Sequence, residues 1–116
     1  MINKIEFPAA LQMLRESNKE FIKVFENGSL EVELYQPDQV DRQTPHEKDE
    51  VYIVASGKGK FVLENETTSI KAGDFIFVPA RANHQFIEFS SDFSTWVLFY
   101  GPKEGEEGPL KNFVPS

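Results

Sequence analysis

Cysteine is absent from the 116 residues. That excludes disulfide staples and thiolate metal ligands, and it removes any sign of redox compartment. Histidine is nearly absent as well, with His46 and His84 the only two. No stretch approaches the roughly 18 apolar residues that a membrane span requires. The opening MINKIEFPAALQMLRES breaks its apolar pairs with Glu, Gln and Arg and so lacks the core of a secretion signal. A soluble cytoplasmic protein with no membrane partner is therefore expected. Positive charge is also scarce: 12 Lys and Arg stand against 19 Asp and Glu, a net charge of −7. Nucleic acid needs a concentrated basic surface, and the scattered cations here exclude it as an expected partner. The acidity itself denotes a solvated surface and names no ligand.

What is present is apolar and aromatic. Hydrophobic residues make up 40%, with eleven Phe among them, enough for one core, so residues 1–116 are expected to form a single domain. The 1–20 segment carries a short helix over 8–18: Pro8 suits a first helical position, and Ala10, Leu11 and Leu14 form a stripe at helical spacing. From there the pattern is strand after strand. FIKVF (21–25) and LEVELY (30–35) flank the Asn-Gly pair of ENGS. Pro37 and Pro45 bracket a polar loop. EVYIVA (50–55), KFVLE (60–64), TTSIK (67–71), FIFVP (75–79), HQFIEF (84–89) and STWVLFY (94–100) follow, parted by short turns. About eight such strands predict an all-β fold, an antiparallel sandwich or barrel with one N-terminal helix. The 101–116 tail, rich in Pro and Gly, is expected to be irregular, with Phe113 the residue that would dock it. Gly57 and Gly59 in SGKGKF look like a phosphate loop, but no helix follows them, so a strand-to-strand turn is the better reading.

The two histidines carry the chemical interest. His46 stands four residues before Glu50, and His84 opens a strand. Taken singly, His46 is a loop histidine in the solvated run HEKDE, and His84 needs no more than a hydrogen bond to its preceding loop. Taken together they fall into a pattern. His46, three residues, Glu50, six residues and Gly57 resemble the latter part of the first motif of the cupin superfamily. Gly73, five residues, Pro79 and then His84, in GDFIFVPARANHQF, resemble the second. The two motifs span roughly residues 44–88, in the right order. Three positions depart from the pattern. The usual leading histidine falls on Thr44, the glycine two residues after the proline is Arg81, and the asparagine four residues after the last histidine is Glu88.

The resemblance implies a jelly-roll fold holding one divalent metal through His46, Glu50 and His84. Two imidazoles and one carboxylate are the ligand set of non-haem Fe(II) oxygenases, with open positions for substrate and dioxygen, and also of catalytic zinc sites. Fe(II) is favoured, with Zn, Mn, Ni or Co as alternatives. Gln43 is a further candidate ligand for the place that Thr44 leaves, although an extended chain before Pro45 would put Thr44 and His46 on one face and Gln43 on the other. Strand alternation sets Tyr52 beside Glu50, and Phe86 and Glu88 beside His84. Tyr52 and Glu88 are thus candidate catalytic groups, although Tyr52 also reads as core and Glu88 as a rim charge. Asp49 alternates outward, as a surface residue. An Fe(II)-dependent oxygenase is the leading function, followed by a metal-assisted lyase or isomerase and by a non-catalytic small-molecule-binding module. A small molecule is the expected ligand. A homodimer is also expected, with the hairpin 21–35 lying across a partner sheet.

Overall fold

Pro8 sits in the first turn of α1 (Phe7–Ser17), where its missing N–H leaves no hydrogen bond unmade. The helix stops at Asn18, whose left-handed φ of 58° turns the chain away as its N–H bonds back to the Arg15 carbonyl. The computed structural model describes residues 1–115. After α1 come β1 (Phe21–Asn27), β2 (Leu30–Tyr35), β3 (Asp49–Ser56), β4 (Lys58–Leu63), β5 (Glu66–Lys71), β6 (Phe75–Val78), β7 (His84–Ile87) and β8 (Ser94–Tyr100). They build a five-stranded sheet in the order β1-β2-β8-β3-β6 and a three-stranded sheet in the order β5-β4-β7. All pairings are antiparallel. This is the expected all-β jelly-roll sandwich with one short helix.

Two turns fall one residue from where the sequence places them. Asn27 pairs with Leu30, so the β1–β2 loop is Gly28 and Ser29, with glycine at φ 60° in its first position. β3 and β4 are joined by Gly57 alone, which carries the chain from one sheet to the other at φ 76°. A Cβ on Gly57 would lie 2.6 Å from the Phe93 Cα, so the corner admits only glycine. Gly59 lies inside β4, and the phosphate-loop reading is excluded.

Between the sheets the core is aromatic. Tyr52, Phe61, Phe86 and Phe93 interlock with ring centroids 4.8–5.8 Å apart, and Tyr35, Val54, Val78 and Val97 close around them. On β3 the inward side chains Glu50, Tyr52 and Val54 are buried, whereas Ile53 points out. The outer face of the five-stranded sheet has its own small core. There the α1 residues Ala10 and Leu14 cover Leu34, with Trp96 and Ile22 beside them, and Phe7 meets Trp96 edge-on at 6.3 Å. Each buried leucine in this seam contributes about 2 kcal/mol.

Asp49 is not the surface residue that alternation predicts. It does point away from the barrel, yet it is buried, because the chain after β8 returns across it. Its carboxylate accepts the N–H groups of Ala80 and Glu106, both at 2.9 Å. Residues 101–115 form no helix or strand, and this carboxylate is one of their ties; Phe113 remains 66% exposed. Among the described residues no helix is long and apolar enough to cross a membrane.

Candidate metal centre

Three segments deliver the candidate ligands to one end of the barrel. Glu50 comes from the first turn of β3, held between Phe99 of β8 and Val78 of β6. His84 is the first residue of β7 in the opposite sheet. His46 lies on the irregular segment before β3, and two backbone bonds pin that segment: the Arg81 N–H donates to the His46 carbonyl at 2.7 Å and the Glu104 N–H to the Glu47 carbonyl at 2.6 Å. His84 Nε2 stands 3.1 Å from Glu50 Oε1, and His46 Nε2 stands 3.8 Å from the same oxygen. The two imidazole rings are 5.3 Å apart, and one donor atom from each of the three residues falls within 4.8 Å of the other two. The structure therefore brings His46, Glu50 and His84 together. Among the described residues they are the one such group of three.

The polar atoms at this point are unsatisfied. Glu50 and the His84 side chain are each 1% exposed, and Glu50 Oε1, Glu50 Oε2 and His84 Nε2 make no hydrogen bond. The 3.1 Å contact is close, but it lacks the alignment of a hydrogen bond. Leaving a buried carboxylate unpaired costs several kcal/mol, so the residues fit a cation that would accept all three atoms. Cis ligands of an ion with bonds of about 2.1 Å lie about 3 Å apart, the separation found between His84 and Glu50. The orientation of one ring also suits a ligand. His84 Nδ1 lies 3.0 Å from the Ala82 carbonyl; a carbonyl only accepts, so Nδ1 carries the hydrogen and Nε2 faces the centre with its lone pair free. Burial opposes the charged form of His84, but the Glu50 carboxylate and the Ala82 carbonyl outweigh it and raise the pKa. His46 moves the other way: burial lowers its pKa, and His84 adds to that against the pull of Glu50.

Of the candidate catalytic groups, the structure brings one inward and one outward. Tyr52 is fully buried, its ring 6.2 Å from that of His84. Its hydroxyl donates to Gln43 Oε1 at 3.0 Å, and burial together with the nearby Glu50 holds its pKa well above that of a free phenol. Glu88 lies past the end of β7 at φ 48°, exposed, with Lys60 as its partner at 3.5 Å. Its left-handed backbone ends the alternation on which the inward placement depended. Gln43 corrects the face argument in the opposite sense. The chain before Pro45 is no strand, and Gln43 Oε1 comes to 3.4 Å from His46 Nε2, whereas Thr44 is exposed.

Sequence reasoning missed Asp41. It is 3% exposed and accepts from the Tyr35 hydroxyl at 2.7 Å, the Gln43 N–H at 3.0 Å, Gln43 Nε2 at 3.1 Å and the Phe86 N–H at 2.8 Å. One carboxylate thus ties the loop between β2 and β3 to both sheets, and it turns the Gln43 amide so that its oxygen faces Tyr52 and His46. The sole trace in the sequence is an acidic residue within a Pro-bracketed loop. At His46 the centre borders a cavity of about 390 Å³, lined also by Phe21, Glu33, Tyr35, Arg42 and Phe99 among others; Glu50 and His84 do not line it.

An antiparallel jelly roll with a His-Glu-His cluster at one end, Glu50 and His84 buried and His46 partly exposed, agrees with the resemblance to the cupins that the motifs carry. The Cupin domain family matches residues 31–99, and the chain belongs to that family. It is 37% identical over 97 residues to an uncharacterised protein of Streptomyces coelicolor, covering 82% of each chain. Among solved structures, a cupin-2 domain containing protein from Shewanella frigidimarina matches with a TM-score of 0.66 at 16% identity, over 84% of this chain and 94% of that one. The DMSP lyase DddQ from Ruegeria pomeroyi matches with a TM-score of 0.61 at 21% identity, over 70% of this chain. The chain spans 46% of that lyase's length, and both structural likenesses are of fold alone.

Two departures from the family motif now have a backbone meaning. Arg81 has a φ of 69° and Glu88 a φ of 48°, both in the left-handed region that favours glycine and asparagine. Those are the residues the motif has at the two places. Arg81 holds the conformation with its guanidinium on Glu104, at 2.6 Å in the shorter contact.

Proposed function

We propose that this protein is a metal-dependent enzyme acting on a small molecule, of the Fe(II)-dependent oxygenase type, with His46, Glu50 and His84 as its metal ligands. The observation that carries the reading is the set of three buried, unsatisfied atoms on Glu50 and His84, next to His46, which lines a cavity. A ferrous ion, when bound, supplies the electrons that activate dioxygen. The chain's own residues do the rest. Glu50 offsets one positive charge of the ion, and the Ala82 carbonyl keeps His84 in the tautomer that ligates. Phe61, Phe86 and Phe93 close the barrel beneath the centre and exclude water from it. Tyr52, kept protonated by burial, donates its hydroxyl to Gln43 Oε1, and it would exchange that bond to hold a substrate oxygen or deliver a proton to it.

Tyr52 also favours a second reading, in which the metal polarises a substrate carbonyl and the phenol takes part in proton transfer, as in a lyase or isomerase. Consumption of dioxygen on turnover separates the two. A module that binds its ligand without turnover would give neither product nor oxygen uptake.

The test is metal analysis of wild type, His46→Ala and His84→Ala prepared alike, together with anaerobic loading of Fe(II). One iron per chain, a nitric oxide adduct with an electron-spin signal, and loss of metal in both variants with the fold intact are expected. Equal metal content in all three proteins would overturn the assignment. A second copy of the chain is the partner we propose. Supporting it is β1, an edge strand carrying Phe21 and Phe25 at 50% and 39% exposure. A monomer mass that stays constant with concentration would dismiss it.

A further inference from the structure

The cavity that borders the candidate centre at His46 has a charge imbalance of its own. Besides the Tyr35 phenol, its ionisable lining side chains are Glu20, Glu33, Arg42 and His46. Arg42 is engaged with Glu20 at 3.7 Å, and His46 faces the metal centre. Glu33 is left over. It sits on β2, half-buried on the inward face, in register with Val97 of β8, which is itself in register with Tyr52 of β3. Among the described residues its carboxylate has no hydrogen-bond or ion-pair partner, because Lys23, its neighbour on β1, is taken by Glu26 and Glu31 at 3.2 Å each. The rest of the lining includes the aromatic side chains of Phe21, Tyr35 and Phe99, together with Gln43, Thr44 and Val97.

An unpaired carboxylate among aromatic side chains is a poor place for an anion and a good one for an organic cation, which gains a charge-assisted hydrogen bond, and cation–π attraction wherever a ring offers its face. Resting on the metal-dependent reading above, we propose that the substrate is a small amine carrying an oxygen donor at its far end: the ammonium group is read by Glu33 and the oxygen end reaches the His46–Glu50–His84 centre. Two strand spacings separate β2 from β3, about 10 Å. With both side chains pointing inward, that span suits a chain of a few carbons between the two groups. Burial, followed by the charge of Glu31, raises the Glu33 carboxyl, and a bound ammonium would relieve the same penalty.

The experiment uses zinc-loaded protein and three probes of one length: 4-aminobutyrate, pentanoate and glutarate. Binding is measured by calorimetry, and zinc content is read separately by elemental analysis. Wild type is expected to bind 4-aminobutyrate about tenfold more tightly than pentanoate, with glutarate weakest. Glu33→Gln should erase that preference while zinc content and pentanoate affinity stay the same, and Glu33→Lys should reverse the order in favour of glutarate. Equal affinity of wild type for 4-aminobutyrate and pentanoate, or an amine preference that survives Glu33→Gln with zinc in place, overturns the substrate class and leaves the metal reading standing. Preference of wild type for glutarate would assign the pocket to Arg42 and an anionic substrate. Failure of the wild-type chain to take up zinc or iron overturns both readings.

Discussion

The backbone N–H of Arg81 donates to the carbonyl of His46 across 2.7 Å. The loop that leads into His84 therefore also grips the segment that delivers His46, and the two halves of the centre share one mechanical support. Arg81 is fastened in turn by Glu104, and the chain following β8 is fastened by Asp49. Positioning of the candidate metal ligands thus depends on a backbone far from them in sequence.

Metal removal should be visible in stability. An ion that binds only the folded chain stabilises it by about 2.7 kcal/mol when free metal is at a hundred times its Kd. Chelator added to metal-loaded wild type is expected to lower Tm, and to leave the Tm of His84→Ala unchanged. Differential scanning calorimetry reads both. A wild-type Tm indifferent to chelator would count against a site at Glu50 and His84.

Asp41→Ala strands the buried Tyr35 hydroxyl and Phe86 N–H. Unsatisfied donors of that kind cost about 3 kcal/mol together, a fall in Tm of roughly 10 °C for a chain of this size. Asp41→Asn keeps two acceptor positions at one oxygen and should lose about half as much. Denaturant titration of both variants decides the matter. A loss below about 1 kcal/mol for Asp41→Ala would show that water replaces the carboxylate.

At position 81 the backbone argument can be isolated from the side chain. Both Arg81→Ala and Arg81→Gly lose the Glu104 contact, but only glycine is at ease at φ 69°. Arg81→Gly is expected to melt about 4 °C above Arg81→Ala. Identical melting temperatures would mean that the loop relaxes out of the left-handed region once the guanidinium is gone.

Glu33 makes a pH prediction whose sign follows from its environment. Burial and the charge of Glu31 raise its folded-state pKa above 4.5, so the folded chain holds this proton more tightly than the unfolded chain does. The resulting stability is fully present below the unfolded pKa and is lost as pH rises through the folded one. Glu33→Gln should therefore be more stable than wild type at pH 7 and no more stable at pH 4. Thermal melts at the two values test this, and an advantage that is the same at both would remove the titration as its cause.

How much of this was legible beforehand depends on the range of the forces involved. The strands were legible because alternation of apolar and polar residues is a local consequence of a pleated backbone, and LEVELY and EVYIVA follow it. Asp41, Asp49 and Gln43 were not. Their burial comes from segments 40 or more residues away closing over them: Phe86 for Asp41, Glu106 for Asp49. Gln43 was set on the wrong face because the residues before Pro45 were treated as extended, whereas the Asp41 carboxylate bends that stretch toward the barrel. Strand alternation leaves Glu88 open between an inward carboxylate and a rim charge; its own left-handed backbone ends the alternation and makes it the rim charge.

The order of residues alone determined the class of fold, through alternation along the strands, and its resemblance to the cupin motifs pointed to the family and to the three side chains that could hold a metal. Tertiary structure decided which other groups join them. It put Tyr52 and Gln43 beside the centre, sent Glu88 to the surface and left Glu33 unpaired over the cavity. Those outcomes hang on hydrogen bonds and packing between distant segments, which come into being only when the two sheets close on each other.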